Sequence, residues 1–162
     1  MSKTKFFYGI ADVLEATEGV AHQALEEIAE ETLLEWRGLV KRRVYEESRL
    51  KADPNNDYYK RTGQLLDSLQ LKWITPLEVM LYYNTEEILP SMMIDGKGFN
   101  RHTSFDGTDK SMWIPTFVEE GNGDSKIHSY EGVRAWEEIV EMLNREYLET
   151  LKSKIAHKLG KI

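Results

Sequence analysis

The chain is expected to fold as a single α+β domain in which a small antiparallel sheet is covered by two long amphipathic helices. Three observations lead there. Apolar residues recur at helical spacing near both ends of the chain, and between them the period changes to two. The length of 162 residues, 41% of them hydrophobic, supplies one sizeable core and little material for a second.

The first helix is expected over residues 10–50. Leu14, Ala21, Leu25, Ile28, Thr32, Trp36, Leu39, Val40 and Val44 mark one apolar face. At 1.5 Å per residue it would run roughly 60 Å, longer than a compact domain of this size is wide, so part of it needs cover from elsewhere. Its charges are sorted. Asp12, Glu15, Glu18, Glu26, Glu27, Glu30, Glu31 and Glu35 precede Arg37, Lys41, Arg42, Arg43 and Arg49. That order suits the helix macrodipole and also leaves unlike ends that identical neighbours could match head to tail. Gly19 and Gly38 are positions where the helix could bend.

LKADPNNDYY stops the helix, since Pro54 cannot continue it and Asn and Asp favour turns. The stretch YYKRTGQLLDSL then marks the change from helix to strand. Thr62 is expected to cap a short helix over 62–69, Gly63 to take a backbone shape a Cβ would resist, and Leu65, Leu66 and Leu69 to face the core. Over 69–84, Leu69, Leu71 and Trp73, then Val79, Leu81 and Tyr83, alternate with more polar neighbours and read as a β-hairpin. Residues 85–112 have no period and read as an inserted arm, in which Ile88, Leu89, Met92, Met93, Ile94 and Phe99 form an apolar cluster suited to an irregular partner surface. WIPTFVEE, 113–120, reads as a third strand near a sheet edge because of Pro115, closed by Gly121 and Gly123. The last helix is expected over 131–160 on the stripe Val133, Trp136, Ile139, Val140, Leu143, Tyr147, Leu151, Ile155 and Leu159, with Ser129 at its start and Gly160 at its end. Trp36, Trp73 and Trp136 are the expected centre of the core.

Composition excludes several classes of function. With no Cys there is no disulfide framework, zinc-thiolate site or Cys nucleophile. No apolar run approaches the roughly 20 residues that cross a bilayer, the opening segment has too short an apolar core for a signal peptide, and no membrane partner is expected. A net charge of −7 argues against non-specific grip on nucleic acid. His22, His102, His128 and His157 are scattered without metal-binding spacing, and Glu119 and Glu120 are adjacent, which on a strand sends their side chains to opposite faces. No catalytic residue, metal or cofactor is assigned. An alternative reading, a small metal-dependent nuclease, would use Asp124 and Lys126 as a D-x-K pair with Asp106 and Asp109; another is a monomeric or dimeric adaptor module.

A long N-terminal helix, R-T-G-x-L-x-x-S at Arg61, Thr62, Gly63, Leu65 and Ser68, a β segment, V-E-x-G at Val118, Glu119 and Gly121, and a long C-terminal helix together resemble the neck and tail-completion proteins of long-tailed bacteriophages. The resemblance implies a structural virion protein without catalytic residues, assembled in the host cytoplasm and located at the neck. It would form a homo-oligomeric ring, six- or twelve-fold, between the portal or head-closure complex and the tail. Its implied partners are copies of itself, a head-closure or connector protein, and a tail terminator or tail tube protein, with genomic DNA passing transiently through an acidic lumen. On this reading Thr62, Gly63, Leu65, Glu119 and Gly121 are architectural.

Overall fold

The computed structural model describes residues 10–46, 63–88, 111–122 and 130–160. It is an α+β arrangement, mostly helical, with small antiparallel sheets and two long helices. Helix α1, Ile10–Val40, is followed without a break by a π-helical stretch, Lys41–Glu46. Residues 47–50 of the expected first helix lie outside the described residues. Gly19 and Gly38 lie within the continuous helix, and neither has a neighbouring atom within 4 Å of where a Cβ would stand.

The turn into the sheet follows the expectation in its main feature. Gly63 precedes α2, Gln64–Asp67, with φ 82° in the left-handed region, where a residue bearing a Cβ is strained. Its carbonyl accepts from the Leu66 and Asp67 amides, while Thr62, the expected cap, lies outside the described residues. Ser68 then donates its hydroxyl to the Leu65 carbonyl at 2.7 Å and is fully buried, so this corner is closed by its own side chain.

Strands β1, Leu69–Thr75, and β2, Glu78–Tyr83, form the hairpin, with Leu69 opposite Tyr83, Leu71 opposite Leu81 and Trp73 opposite Val79. These six residues share one face, as alternation requires, and that face lies on α1. The Trp73 ring meets His22 at 4.3 Å, the Tyr83 ring meets Trp36 edge-on at 4.8 Å, and Arg37 Nη2 donates to the Leu69 carbonyl at 2.6 Å. His22 Nδ1 is 2.6 Å from the Pro76 carbonyl oxygen, which ties the hairpin turn to the same helix.

The segment WIPTFVEE is not a strand. A 3₁₀ turn, Ser111–Trp113, leads into helix α3, Ile114–Glu120. The reason lies in Pro115, which stands in the first turn of the helix; there its fixed φ is already helical and its missing N–H has no bond to lose. Gly121 ends α3 with φ 87° and ψ −178°, a shape open to glycine alone, and begins β3, Gly121–Asn122. This pairs antiparallel with β4, Tyr130–Glu131.

Helix α4, Ala135–Leu159, begins four residues later than expected. Arg134 precedes it in a left-handed conformation, and Ser129 lies outside the described residues. Gly160 closes it with ordinary right-handed angles, so its conformational freedom is not used. The helices α1 and α4 run antiparallel: Glu27 meets Lys158, Glu31 meets Lys154, and Arg43 meets Glu138. The hairpin and α4 both pack on α1, and Trp36, Leu39, Val40, Leu65, Leu69, Ile88, Ala135 and Ile139 form the central cluster.

Of the three expected core tryptophans only Trp36 is fully enclosed. Trp73 is half-buried, and Trp136 is 38% exposed, its ring lying 4.7 Å from that of Trp36 as a lid. The cause is position. Trp136 stands one residue into α4, beside the buried Ala135, so its ring closes the top of the cluster. The arm also needs correction at Ile88, which is 2% exposed and belongs to the core. A 3₁₀ turn, Thr85–Glu87, capped by the Asn84 side chain, turns Ile88 inward, and Ser111 at the far end is buried as well. The segment is thus rooted in the domain at both ends. Leu89, Met92, Met93, Ile94 and Phe99 lie outside the described residues.

Candidate functional site

The chemical centre of the fold is the carboxylate of Glu119. Helix α3 places Pro115, Val118 and Glu119 on its inner side, and Glu119 is itself buried. One oxygen, Oε1, accepts from the Trp36 indole N–H at 3.3 Å and from the Tyr83 hydroxyl at 2.5 Å. The other, Oε2, accepts from the Trp136 backbone N–H at 3.0 Å. A single side chain therefore joins α1, β2, α3 and the start of α4. Burying an ionised carboxylate is costly unless its lone pairs are occupied; here three donors and the positive end of the α4 dipole face it.

The rest of the V-E-x-G motif locks the same corner through backbone. The Val133 amide donates to the Val118 carbonyl at 2.8 Å, and the Arg134 amide to the Glu119 carbonyl at 3.1 Å. This approach is so close that a Cβ on Gly132 would stand 2.1 Å from the Glu119 carbonyl oxygen. Gly132 is the architectural residue that sequence reasoning missed. Its only signal was a lone glycine just before a helical stripe, which is common in connectors.

Electrostatics follow from this packing. Burial first, and the negative charge of Glu119 second, push the Tyr83 hydroxyl well above the ordinary value of 10.0, so it remains a donor. Along the α1/α4 seam Lys154 reaches Glu27 and Glu31 at 3.3 and 2.9 Å, and Lys158 reaches Glu27 at 2.5 Å. Hydrogen bonds from Lys158 and Lys154 hold the Glu27 carboxyl below its usual range, and the bond to Glu31 raises Lys154. At the other end Arg43 bonds both Glu138 and the Val133 carbonyl. Part of the sorted charge on the first helix is therefore matched inside the chain by the oppositely sorted α4. What is left over includes Glu15 and Glu18 at one end, Glu26, Glu30 and Glu35 along the middle and Arg42 at the other end, all exposed and without an ion-pair partner among the described residues.

The structure brings Gly63, Leu65, Glu119 and Gly121 around one core cluster, with Leu65 inside it and Val118 against it. Asp106, Asp109, Asp124 and Lys126, the residues of the nuclease alternative, lie outside the described residues, as do His102 and His128. Among the described residues no group of three or more His, Asp or Glu side chains is arranged to hold a metal ion. The described helices include none long and apolar enough to cross a membrane. The remaining exposed apolar side chains include Met112, Trp113 and Phe117 on and beside α3, and Ile74, Leu77 and Met80 on the hairpin. No protein-family model matches the chain, and the comparisons with curated proteins and with solved structures give no match either.

Proposed function

We propose that this protein is a structural component of a long-tailed phage virion, a homo-oligomeric neck ring between the head-closure complex and the tail through which the genome passes. The observation that carries the reading is the use to which the motif residues are put. Gly63 and Gly121 hold backbone shapes that glycine favours, Leu65 fills the core, Ser68 bonds its own turn, and Glu119 spends both oxygens on three donors. Side chains so engaged fix a fold and leave nothing to act on a substrate. In a ring the product of the protein is the assembled shape, which needs no reaction.

The leftover charges support a repeated head-to-tail contact. Helix α1 spans 31 residues, about 46 Å, and the α4 end at Lys158 meets it near Glu27, so its first turns extend past α4. Val13 and Leu14 are exposed there beside Glu15 and Glu18. Such an acidic, partly apolar end and the exposed Arg42 at the opposite end suit a heterologous interface, which closes into a ring when the rotation permits. The net charge of −7 suits a channel that lets a polyanion slide. Quantitative mass spectrometry of purified particles tests the reading. The expected result is six or twelve copies per virion, and one or two copies, or absence, would overturn it.

A further inference from the structure

On the side of the α1/α4 seam lies a groove of about 230 Å³, lined by Ile28, Thr32, Met142, Leu143 and Tyr147 below and by Glu31, Glu35 and Glu146 at the rim. Its size is under that of an ordinary small-molecule pocket and suits one or two side chains. Its chemistry is specific: an apolar floor under carboxylates. Lys154 serves Glu31 and the adjacent Arg145 serves Glu146, while Glu35 has no cation among the described residues. An occupant that fits supplies an aromatic or aliphatic group with a lysine or arginine close by.

The chain contains such a segment outside the described residues. Residues 3–8 read Lys-Thr-Lys-Phe-Phe-Tyr, with two cations, three aromatic rings and no acid before Asp12. Two longer segments also lie outside the described residues. The first, 89–110, balances Lys97, Arg101 and Lys110 against Asp95, Asp106 and Asp109 and offers an acidic rim no net attraction. The second, 47–62, sets Arg49, Lys51, Lys60 and Arg61 against Glu47, Asp53 and Asp57, so its cations are largely offset by its own acids whereas those of 3–8 are not. Geometry then decides whose segment it is. Ile28 lies 18 residues into α1 from Ile10, about 27 Å along the axis. Phe6 is four residues from Ile10 and reaches at most about 14 Å; even Lys3, at seven residues, reaches only about 25 Å. The aromatic rings of the segment therefore cannot enter their own groove.

We propose that Lys3–Tyr8 of one copy docks in the α1/α4 groove of a neighbouring copy, one or two of its rings on Met142, Leu143 and Tyr147 and its lysines at the rim carboxylates Glu35 and Glu146. The proposal takes from the ring reading only the presence of a neighbour, and it makes the contact directional, since each copy gives one segment and receives one. The absence of cysteine allows a clean test on the full-length chain. Thr4→Cys protein is mixed with Thr150→Cys protein, whose new thiol lies at the groove, and treated with a short bismaleimide. As control, Thr4→Cys is mixed with Glu26→Cys, on the exposed face of α1. The groove pair is expected to give covalent dimer in at least tenfold higher yield than the control pair. Lys3→Glu with Lys5→Glu should abolish that excess, and Glu35→Lys with Glu146→Lys in the partner should restore it. Equal yields from the two pairs would overturn the proposal. So would an intrachain crosslink between Phe99→Cys and Thr150→Cys in a chain whose Thr4 pair gives none, which would assign the groove to residues 89–110. Virion copy number is a separate measurement, so a ring without this crosslink refutes the docking alone.

Discussion

Replacing Glu119 by Gln tests the central junction with almost no change of shape. The carboxylate accepts three hydrogen bonds, two on Oε1 and one on Oε2. Glutamine keeps one oxygen and presents an NH₂ group at the other position. If its oxygen faces Trp36 and Tyr83, the NH₂ meets the Trp136 N–H, donor against donor; the flipped amide orphans the other two. One buried donor without an acceptor costs about 1–3 kcal/mol, and loss of the negative charge at the α4 N-terminus adds about 0.3–1 kcal/mol. The expected loss is therefore about 1.3–4 kcal/mol, a large share of the 5–15 kcal/mol that typically separates folded from unfolded states. Urea unfolding followed by tryptophan fluorescence measures it, and a fall in midpoint at constant slope is the expected form. A double-mutant cycle with Tyr83→Phe adds discrimination. Phenylalanine removes one donor, so the pair should couple by at least about 0.5 kcal/mol. A Glu119→Gln protein within 0.5 kcal/mol of the parent, or strict additivity with Tyr83→Phe, would refute the account of Glu119 as the tie between four elements.

Two further outcomes follow from the same corner and from α1. The Tyr83 hydroxyl is pushed above its unfolded value of 10.0, so its contribution is fully present below about pH 10 and is lost as pH rises beyond it. Stability should fall there by up to about 1.4 kcal/mol per pH unit more in the parent than in Tyr83→Phe, and superimposable alkaline curves would contradict this. Gly132→Ala should unfold or severely weaken the domain, because its Cβ would lie 2.1 Å from the backbone oxygen of Glu119, whereas Gly38→Ala should stabilise by about 0.5–1 kcal/mol, since nothing lies within 4 Å of the added methyl. Thermal unfolding of the two variants gives opposite signs if the close approach at Gly132 is real.

The elements with a strong period were legible from residue order. The two long helices, the hairpin with its register face and the special backbone at Gly63 stand where the residues placed them, although Leu14, Trp136 and Leu159 of the expected stripes are exposed and Val133 precedes α4. All eight residues of WIPTFVEE were misread because a short apolar run with a proline satisfies both an edge strand and a short proline-initiated helix, and only tertiary contact decides between them. That error hid the role of Glu119. On a strand its neighbour Glu120 would point oppositely and neither would stand out; on α3, Glu119 faces inward and Glu120 outward. Trp136 was placed too deep for a related reason: a stripe gives the side of a helix that is covered but not how far the cover extends over its first turn.

The sorted charges bear first on how the two long helices pair. Acid-before-base order on α1 and again on α4 makes the antiparallel pairing favourable, because each acidic stretch then faces a basic one, as at Glu27 with Lys158 and Arg43 with Glu138. A parallel pairing would set like against like. The exposed bridges contribute little each, roughly 0–1 kcal/mol for a typical surface pair, so their effect is more on orientation than on strength. Within the paired span Glu26, Glu30 and Glu35 keep no ion-pair partner among the described residues, and the helices also differ in reach: α1 has 31 residues and α4 has 25, and the surplus falls at the end bearing Glu15 and Glu18. Helix length, rather than charge order alone, is what leaves that acidic end of α1 beyond the reach of α4, the end that the proposed ring would use.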